Sequence, residues 1–522
     1  MEFLGDVELA EVAFLFQLRL NYDMVREVFY LYHAVYNQPP DLEVDMSNIA
    51  PTTDAGLGVS KKGASRYAAY VFWIMFSINL LNYLDRYVFT GAANIVAKEL
   101  GLGIDQVGYI ATAFILVYAV GTLPLGIWAD RWNRKNIVAI CVTIWSLATV
   151  FTAIASGFWG LFISRMVLGI GEAGYYPAGT AMLSDYYSRT KRAQVMSRWT
   201  AGSLIGLMIG FIAGGVVAGL GYGMWRVAFL FTGIPGLVLA FLAYRLREPR
   251  RNQADEDAIE LDQNSVVNEV EVIDAAHTFV VPKSVFSQFR RLFQIRTLVV
   301  LIVMQIFAYF SQGAAVVYLP IYLQQKDTLG LSSGFASILA GGVVVIAGIV
   351  GLLVGGYMSD ALNRRYAGAR VLVCGIGFLL CAPAFALSVT IHNVAIFILC
   401  FFITAMLINV YNGPSTAATQ DVVPSVLRAS AVAVSLLLAH LLGDAFAPSL
   451  IGVLAKAFDP THGGHFANNM AGGDLSLALL VTCVPTLVVA GLVGIFGARW
   501  MKLDIAAAQQ ADKAGKGLQS NT

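Results

Sequence analysis

The chain has 522 residues, of which 57% are hydrophobic and 13% are charged, and its formal net charge is +1. Because soluble domains carry about 25% charged residues, this composition excludes an ordinary soluble enzyme, a disordered chain and a nucleic-acid-binding protein. The five cysteines lie in apolar runs without metal-ligand or disulfide spacing, so packing is their expected role and no metal or cofactor is predicted.

The first 45 residues differ from the rest of the chain. Acidic residues exceed basic ones there, and residues 7–36 can form an amphipathic helix. Met46 then begins a short Ser/Thr/Gly segment that ends in Lys61 and Lys62, which is typical of an ordinary start. We therefore predict a cytoplasmic extension over residues 1–65 and hypothesise that residues 1–45 are not translated, which the intact mass of the native protein tests.

Twelve apolar runs follow, each long enough to cross a bilayer, whose core of about 30 Å needs roughly 20 residues per helix. The sequence therefore predicts an all-α membrane protein with twelve transmembrane helices. No cleavable signal precedes the first run, which serves as its own targeting signal. The predicted spans are 67–90, 107–129, 136–156, 159–183, 194–219, 225–246, 297–323, 334–359, 369–390, 393–416, 427–455 and 475–497.

Basic residues set the orientation of these spans. Lys and Arg concentrate in the loops on the N-terminal side, whereas the opposite loops carry only Lys98, Arg226, Lys326 and Lys456. Since cytoplasmic loops are enriched in Lys and Arg and the number of spans is even, both termini are predicted to be cytoplasmic.

The spans fall into two six-helix halves, 66–246 and 296–497, joined by a polar linker over 247–295 and followed by a cytoplasmic tail over 498–522. The linker residues 283–295 are amphipathic and basic and can lie on the membrane surface. The loop after span two reads G-I-W-A-D-R-W-N-R-K from Gly126, and the loop after span eight reads G-Y-M-S-D-A-L-N-R-R from Gly356. A duplicated six-span unit is typical of secondary transporters, with the substrate site between the halves.

Charged residues at the helix ends of these loops predict a cytoplasmic gate. A carboxylate of one half can pair with an arginine of the other and hold that side shut. We predict that Asp130 pairs with Arg428 and Asp360 with Arg192; the alternative is that these charges are solvated topology signals. The whole predicted gate set is Asp130, Arg131, Arg134, Arg192, Asp360 and Arg428.

Charged residues inside spans are costly and mark function. Arg165 and Glu172 are seven residues apart and therefore share a face of span four, and Asp85 of span one reaches the depth of Arg165. An Asp85–Arg165 pair is therefore geometrically feasible, which leaves Glu172 without an obvious fixed partner. Because a desolvated carboxylate can exchange protons, we predict that all three residues serve proton coupling. The alternative is a static polar network.

Further polar residues in the spans are candidates for substrate binding. His440 and Asp444, four residues apart, are candidates for a proton relay, or else for satisfying neighbouring groups near a break at Pro448. A third ligand is not visible, so a metal site is discounted. The substrate-binding candidates are Asn82, Arg86, Arg165, Gln312, Tyr411 and Asn412.

The duplicated loop pattern resembles the cytoplasmic loop motif of the major facilitator superfamily. It departs from that motif at Asn133, where the family usually has Gly. Within the superfamily, N-Y-L-D-R from Asn82, R-x-x-x-G-x-G-E-A from Arg165 and H-L-L-G-D-A-F-A-P-S-L-I-G from His440 resemble the Spinster branch. The resemblance covers about residues 66–500.

The resemblance implies a carrier of lipids such as sphingosine-1-phosphate or lysophospholipids, in some members coupled to protons. It also implies that Asp85, Arg165 and Glu172 belong to the protonation and gating set. Pro177 is similar to the organic-anion branch instead, so the lipid substrate stays open.

The sequence therefore predicts a proton-coupled secondary transporter that works by alternating access and moves an amphiphilic or lipid-like anion. A proton-coupled symporter of small organic anions and a multidrug-type exporter are the alternatives. No G-x-x-x-x-G-K-[ST] run indicates an ATP-driven pump, and no convergent nucleophile, base or metal set indicates an enzyme. A receptor-like sensor is a further alternative. The expected partners are the substrate, protons and the lipid bilayer, for a monomer in the plasma (inner) membrane.

Overall fold

The computed structural model describes residues 61–187, 189–249, 290–325, 328–424, 427–458 and 471–519. The predicted segment 1–45 and most of the predicted linker lie outside these residues. Every regular element in the described part of the chain is a helix.

The first half contains six helices. Four of them are longer than the predicted spans, because the apolar run marks only the stretch inside the bilayer while the helix continues into its polar ends, and the other two equal their predicted lengths. Gly101 and Gly223, at φ 64° and 75°, turn the chain between helices in a backbone region that favours glycine. The helices are α1 (Lys61–Leu100), α2 (Ile104–Arg131), α3 (Arg134–Ile154), α4 (Phe158–Tyr186), α5 (Arg189–Gly219) and α6 (Met224–Arg245).

The regular α-helical hydrogen-bond pattern is interrupted in two predicted spans of the second half. The first breaks at Val410–Tyr411, and the second contains a π-helical turn, His440–Asp444, just before Pro448. Proline cannot donate a backbone hydrogen bond, and π turns often occur at functional sites. The helices are α7 (Arg296–Gln324), α8 (Ser333–Asn363), α9 (Ala369–Thr390), α10 (Val394–Asn409), α11 (Asn412–Val422), α12 (Arg428–Ala439), α13 (Ala447–Phe458), α14 (Ala471–Gly497) and α15 (Met501–Gln519).

Eleven helical segments of the described residues are long and apolar enough to cross a membrane, and they coincide with eleven of the predicted runs. The remaining run is α4, whose hydropathy is lowered by Arg165 and Glu172. This helix is nevertheless central, because it packs on α2 and α3 and touches α1. Gly169 and Gly171 bring its backbone close to those neighbours, and a Cβ at Gly171 would come within 2.6 Å of the Trp145 amide nitrogen.

The two halves are joined by hydrogen bonds at one end of the bundle, which we call the closed end: the end at which α1, α5, α7 and α13 finish. Side chains of each half bond to the other half there. The bonds are Asn94–Gln324 (2.8 Å), Ser449–Thr112 (2.7 Å), Lys456–Asp105 (3.0 Å), Tyr318 to the Ile104 carbonyl (3.4 Å) and Ser333 to the Gly215 carbonyl (2.9 Å).

The opposite end, where α2, α4, α6 and α8 finish, is called the basic end. Two ion pairs among the described residues of this region lie within one half each: Arg134 pairs with Asp185, and Arg370 with Asp421. The partners are 51 residues apart in both cases, so the pairs are equivalent features of the duplicated unit. By contrast, aligning the two loop sequences that start at Gly126 and Gly356 makes Arg364 the counterpart of Arg134. The counterpart is Arg370 because the loop between α8 and α9 is longer than the one between α2 and α3.

Candidate functional site

A cavity of about 790 Å³ lies between the two halves. Its walls come from α1, α2 and α4 on one side and from α7, α12 and the π-helical turn on the other. Its volume is in the range of small-molecule sites, about 300 to 1,000 Å³. Most of the wall is apolar or aromatic, and a few charged side chains reach it, among them Arg86, Arg165 and Asp444.

Arg86 and Glu172 form an ion pair at the cavity wall. The Arg86 Nη2 and Nε atoms lie 2.5 and 3.0 Å from the same oxygen, Oε2 of Glu172. The Glu172 side chain is fully buried, whereas that of Arg86 is 18% exposed. Three rings surround the guanidinium carbon, with centroid distances of 5.2 Å to Tyr83, 5.0 Å to Phe114 and 4.7 Å to Tyr118. Such cation–π contacts hold the guanidinium in place without neutralising it.

Arg165 also reaches the cavity, but within the described part of the chain it has no carboxylate partner at hydrogen-bond distance. Its guanidinium carbon lies 4.5 Å from the Phe89 ring centroid and 5.4 Å from that of Phe229. The residue is 3% exposed, and its Nε and Nη2 atoms have no hydrogen-bond partner among the described residues. A buried cation with free donors is costly unless an anion satisfies it, so this position suits the binding of an anionic group.

Asp85 lies behind the cavity wall, between α1, α3 and α6. It is completely buried, and neither carboxylate oxygen has a hydrogen-bond partner within the described part of the chain. Thr149 and Thr232 are its neighbours. The predicted pairing is therefore different in the structure: Asp85 does not bond to Arg165, and the carboxylate with a fixed partner is Glu172. Adjacent residues of a helix point about 100° apart, so Arg86 faces α4 where Asp85 was expected to do so.

The second half contributes Gln312, His440 and Asp444 to the wall. His440 Nδ1 lies 3.0 Å from an Asp444 carboxylate oxygen, and the imidazole stands edge-on between Tyr118 and Tyr309, at centroid distances of 5.8 and 5.0 Å. Because Tyr118 belongs to α2 and also contacts Arg86, it connects the charged groups of both halves across the cavity.

Three predicted substrate residues lie away from the cavity wall. Tyr411 is 2% exposed and packs on Phe378 inside the second half, with ring centroids 5.3 Å apart. Asn412 bonds to the Asn409 side chain at 3.0 Å. Asn82 is buried next to Glu172. Val410 and Tyr411 keep helical backbone angles, so the orientation of Tyr411 and Asn412 depends on how this span packs, which an apolar run does not determine.

Of the two predicted gate pairs across the halves, Asp360–Arg192 is not among the ion pairs of the described residues. Asp360 pairs with Arg370 at 3.3 Å, and its side chain is 70% exposed. Arg192 donates to the Ser184 carbonyl at 2.7 Å, and Arg428 to the Val423 carbonyl at 3.3 Å. The side chains of Asp130 and Arg131 lie outside the described atoms. Each described gate residue therefore contacts its own half.

Several residues of the site were missed by sequence reasoning. Phe114 and Tyr118 are four residues apart on α2, so the sequence predicts that they share a helix face. Aromatic residues in a span usually pack against helices or lipid, so this spacing alone does not indicate a binding site. The Arg370–Asp421 ion pair was not predicted, because the loop motif places Arg364, and not Arg370, at the position of Arg134. Only the tertiary contacts separate these residues from ordinary packing.

Residues 75–448 match the family model of the Major Facilitator Superfamily. This match covers more than half of the chain, so the protein belongs to that superfamily and is an integral, multi-pass membrane transporter.

Within the superfamily, the resemblance to the Spinster branch is confirmed. The chain is 26% identical to Protein spinster of Drosophila melanogaster over 412 residues, which cover 78% of this chain and 65% of the fly protein. It is 25% identical to the sphingosine-1-phosphate transporter of Danio rerio over 432 residues, covering 79% and 80% of the two chains. A bacterial homologue of the human lysosomal transporter Spinster, solved inward-facing and unoccupied, superposes with a TM-score of 0.69 at 25% identity, covering 85% of this chain and 98% of that one.

Proposed function

We propose that the protein moves an amphiphilic, lipid-like anion across the membrane by alternating access, coupled to protons. The observation that carries this proposal is the pair of cationic side chains at the cavity: Arg165 has free donors, and Arg86 is bound to a buried carboxylate. In this proposal α4 also crosses the membrane, which brings the number of spans to twelve. Both termini then lie at the basic end, in the cytoplasm, because Lys and Arg concentrate there.

The substrate class follows from the cavity wall. The Arg165 guanidinium can bind a phosphate or carboxylate head group through two parallel hydrogen bonds. Apolar residues such as Ile115, Val316 and Val434 line the same cavity and can contact an alkyl chain. The name of the Danio rerio relative, a sphingosine-1-phosphate transporter, supports a phosphorylated lipid of this shape.

The charge balance of the site supports the proposed proton coupling. In the first half of the site two carboxylates, Asp85 and Glu172, accompany two guanidinium groups, Arg86 and Arg165, so an anion added there leaves one negative charge uncompensated. A proton on Glu172 restores the balance and also weakens the bond to Arg86, which then becomes available to the substrate. Substrate and proton binding therefore favour each other at this pair. The His440–Asp444 pair can exchange a proton with the same cavity.

The location of the contacts between the halves supports the proposed alternating access. In this conformation the closed end is held by bonds between the halves, whereas the described gate residues of the basic end contact their own half. We propose that the opposite state forms the pairs Asp130–Arg428 and Asp360–Arg192 while the closed-end bonds break. The 70% exposure of the Asp360 side chain leaves it accessible to such a partner.

Uptake into proteoliposomes, with and without a pH gradient, tests the proposal. A fluorescent lysophospholipid is compared with a small carboxylate, and the wild type with Glu172→Gln. We expect gradient-dependent lipid uptake that the variant loses. The matched control is Glu99→Gln, since Glu99 lies away from the cavity and accepts hydrogen bonds from the Gly223 amide and the Trp225 indole, which a glutamine oxygen can still accept.

Other outcomes identify the alternatives. Carboxylate uptake without lipid uptake would indicate an organic-anion symporter, and broad uptake of unrelated drugs a multidrug-type exporter. Ligand binding without counterflow in vesicles would indicate a sensor. An equal gradient response of Glu172→Gln and wild type would assign Glu172 a structural role and move the coupling site to Asp85 or His440. The plasma membrane and a monomeric state are part of the proposal and are tested by localisation and by the mass of the purified protein.

A further inference from the structure

Two segments that are distant in sequence meet at the basic end of the second half. The Asp504 Oδ2 atom on α15 accepts a hydrogen bond of 2.7 Å from the Thr297 amide in the first turn of α7. Leu292, just before α7, is 1% exposed and Met501 is fully buried, both in one apolar cluster. Helix α15 is therefore docked on the start of α7.

This junction exposes a concentrated positive charge, which we call the C-half basic surface: residues 290–296 together with 498–505. Asp504 is the acidic residue of these two segments, and its carboxylate is used by the Thr297 amide. The Arg499 guanidinium carbon stacks 4.5 Å from the Trp500 ring centroid. The exposed cations of the surface are Arg290, Arg291, Arg296, Arg499 and Lys502.

Exposed apolar side chains accompany these cations. Phe293 is 47% exposed and Leu503 is 67% exposed, and both are on the same two segments. A row of basic residues with apolar neighbours beside a spanning helix is the pattern that binds the surface of an anionic leaflet, with the apolar side chains entering the acyl region. Basic residues that only set the orientation of the helices need neither exposed apolar neighbours nor the convergence of two segments.

We propose that the C-half basic surface binds the head groups of anionic phospholipids in the leaflet at the basic end. This inference does not depend on the transported substrate, because none of the five cations lines the cavity between the halves. Each basic residue near the membrane surface is expected to contribute about a fivefold preference for an anionic over a zwitterionic lipid. Bound lipid would hold α15 against the first turn of α7, the helix that lines the cavity in the second half.

Native mass spectrometry of the full chain tests the proposal. The protein is equilibrated with equimolar phosphatidylglycerol and phosphatidylcholine, and the retained lipids are counted at low and high salt. We expect the wild type to retain phosphatidylglycerol preferentially, less so at high salt. In the variant R290Q/R291Q/K502Q the preference for phosphatidylglycerol over phosphatidylcholine is expected to fall about fivefold for each charge removed.

Two comparisons keep the result specific. The control R198Q/R245Q removes exposed arginines of the basic end in the first half and is expected to keep the preference. The variant R290K/R291K keeps the charge and is also expected to keep it, and its thermal stability is compared with that of the glutamine variant. Equal retention of both lipids by the wild type, or equal losses in R198Q/R245Q and the triple variant, would overturn the proposal.

Discussion

The Arg86–Glu172 pair makes the most direct prediction. The pair is buried on the Glu172 side, and two nitrogens of Arg86 contact one carboxylate oxygen at 2.5 and 3.0 Å. Removing one partner of a buried pair leaves the other charge uncompensated, at a cost of about 3 to 5 kcal/mol. Because the Arg86 side chain retains 18% exposure, we expect Arg86→Gln and Glu172→Gln each to destabilise the fold by about 3 kcal/mol, the lower value of that range.

The double variant R86Q/E172Q removes both charges and leaves two amides that can bond to each other. We expect it to be more stable than the sum of the single effects predicts, with a coupling energy of about 2 kcal/mol. The assay is equilibrium unfolding in mixed micelles, followed with a thiol-reactive dye. Exposure of buried thiols reports unfolding, and the suitable cysteines are Cys141, Cys374, Cys381 and Cys483.

A second cycle on Arg226 and Glu99 is the control, since these charges lie 3.9 Å apart and the Arg226 side chain is 34% exposed. Its coupling energy is expected to stay below about 1 kcal/mol. If the effects of Arg86→Gln and Glu172→Gln were additive within about 0.5 kcal/mol, the two side chains would not act as a pair, and the coupling mechanism built on their separation would be refuted.

Three further substitutions test other parts of the structure. Asp504→Ala removes the side chain that caps α7 at the Thr297 amide, and we expect a loss of about 1 kcal/mol, measured by the same unfolding assay; an unchanged stability would mean that water replaces the cap. Gly215→Ala places a Cβ against the Ser337 hydroxyl across the halves, and we expect faster labelling of a cysteine introduced at the closed end; slower labelling would contradict this assignment of the closed end. Arg165→Lys keeps the charge but loses the planar donors, and we expect about tenfold weaker apparent affinity for the anion at a similar maximal rate; an unchanged affinity would remove Arg165 from the substrate site.

Much of this protein was readable from its sequence. Apolar runs of about 20 residues require helices in a bilayer, because every backbone polar group must be satisfied within the segment. The same logic singled out Asp85, Arg86, Arg165 and Glu172, since charges at membrane depth are costly and rare. The duplicated loop motif identified the superfamily, which the family match then confirmed.

The pairing of those charges was decided by the tertiary structure alone. Sequence spacing sets which residues share a face of one helix, but which face meets a neighbour depends on how closely the backbones approach. On α4, Gly169 and Gly171 allow a close approach to α2 and α3, while Glu172 of the same helix bonds to Arg86, and Asp85 has no hydrogen-bond partner among the described residues. Asn412 likewise bonds to Asn409 of its own half and does not line the cavity. The rotation of each helix about its axis is set by packing between helices, and the spacing of residues along one sequence does not predict it.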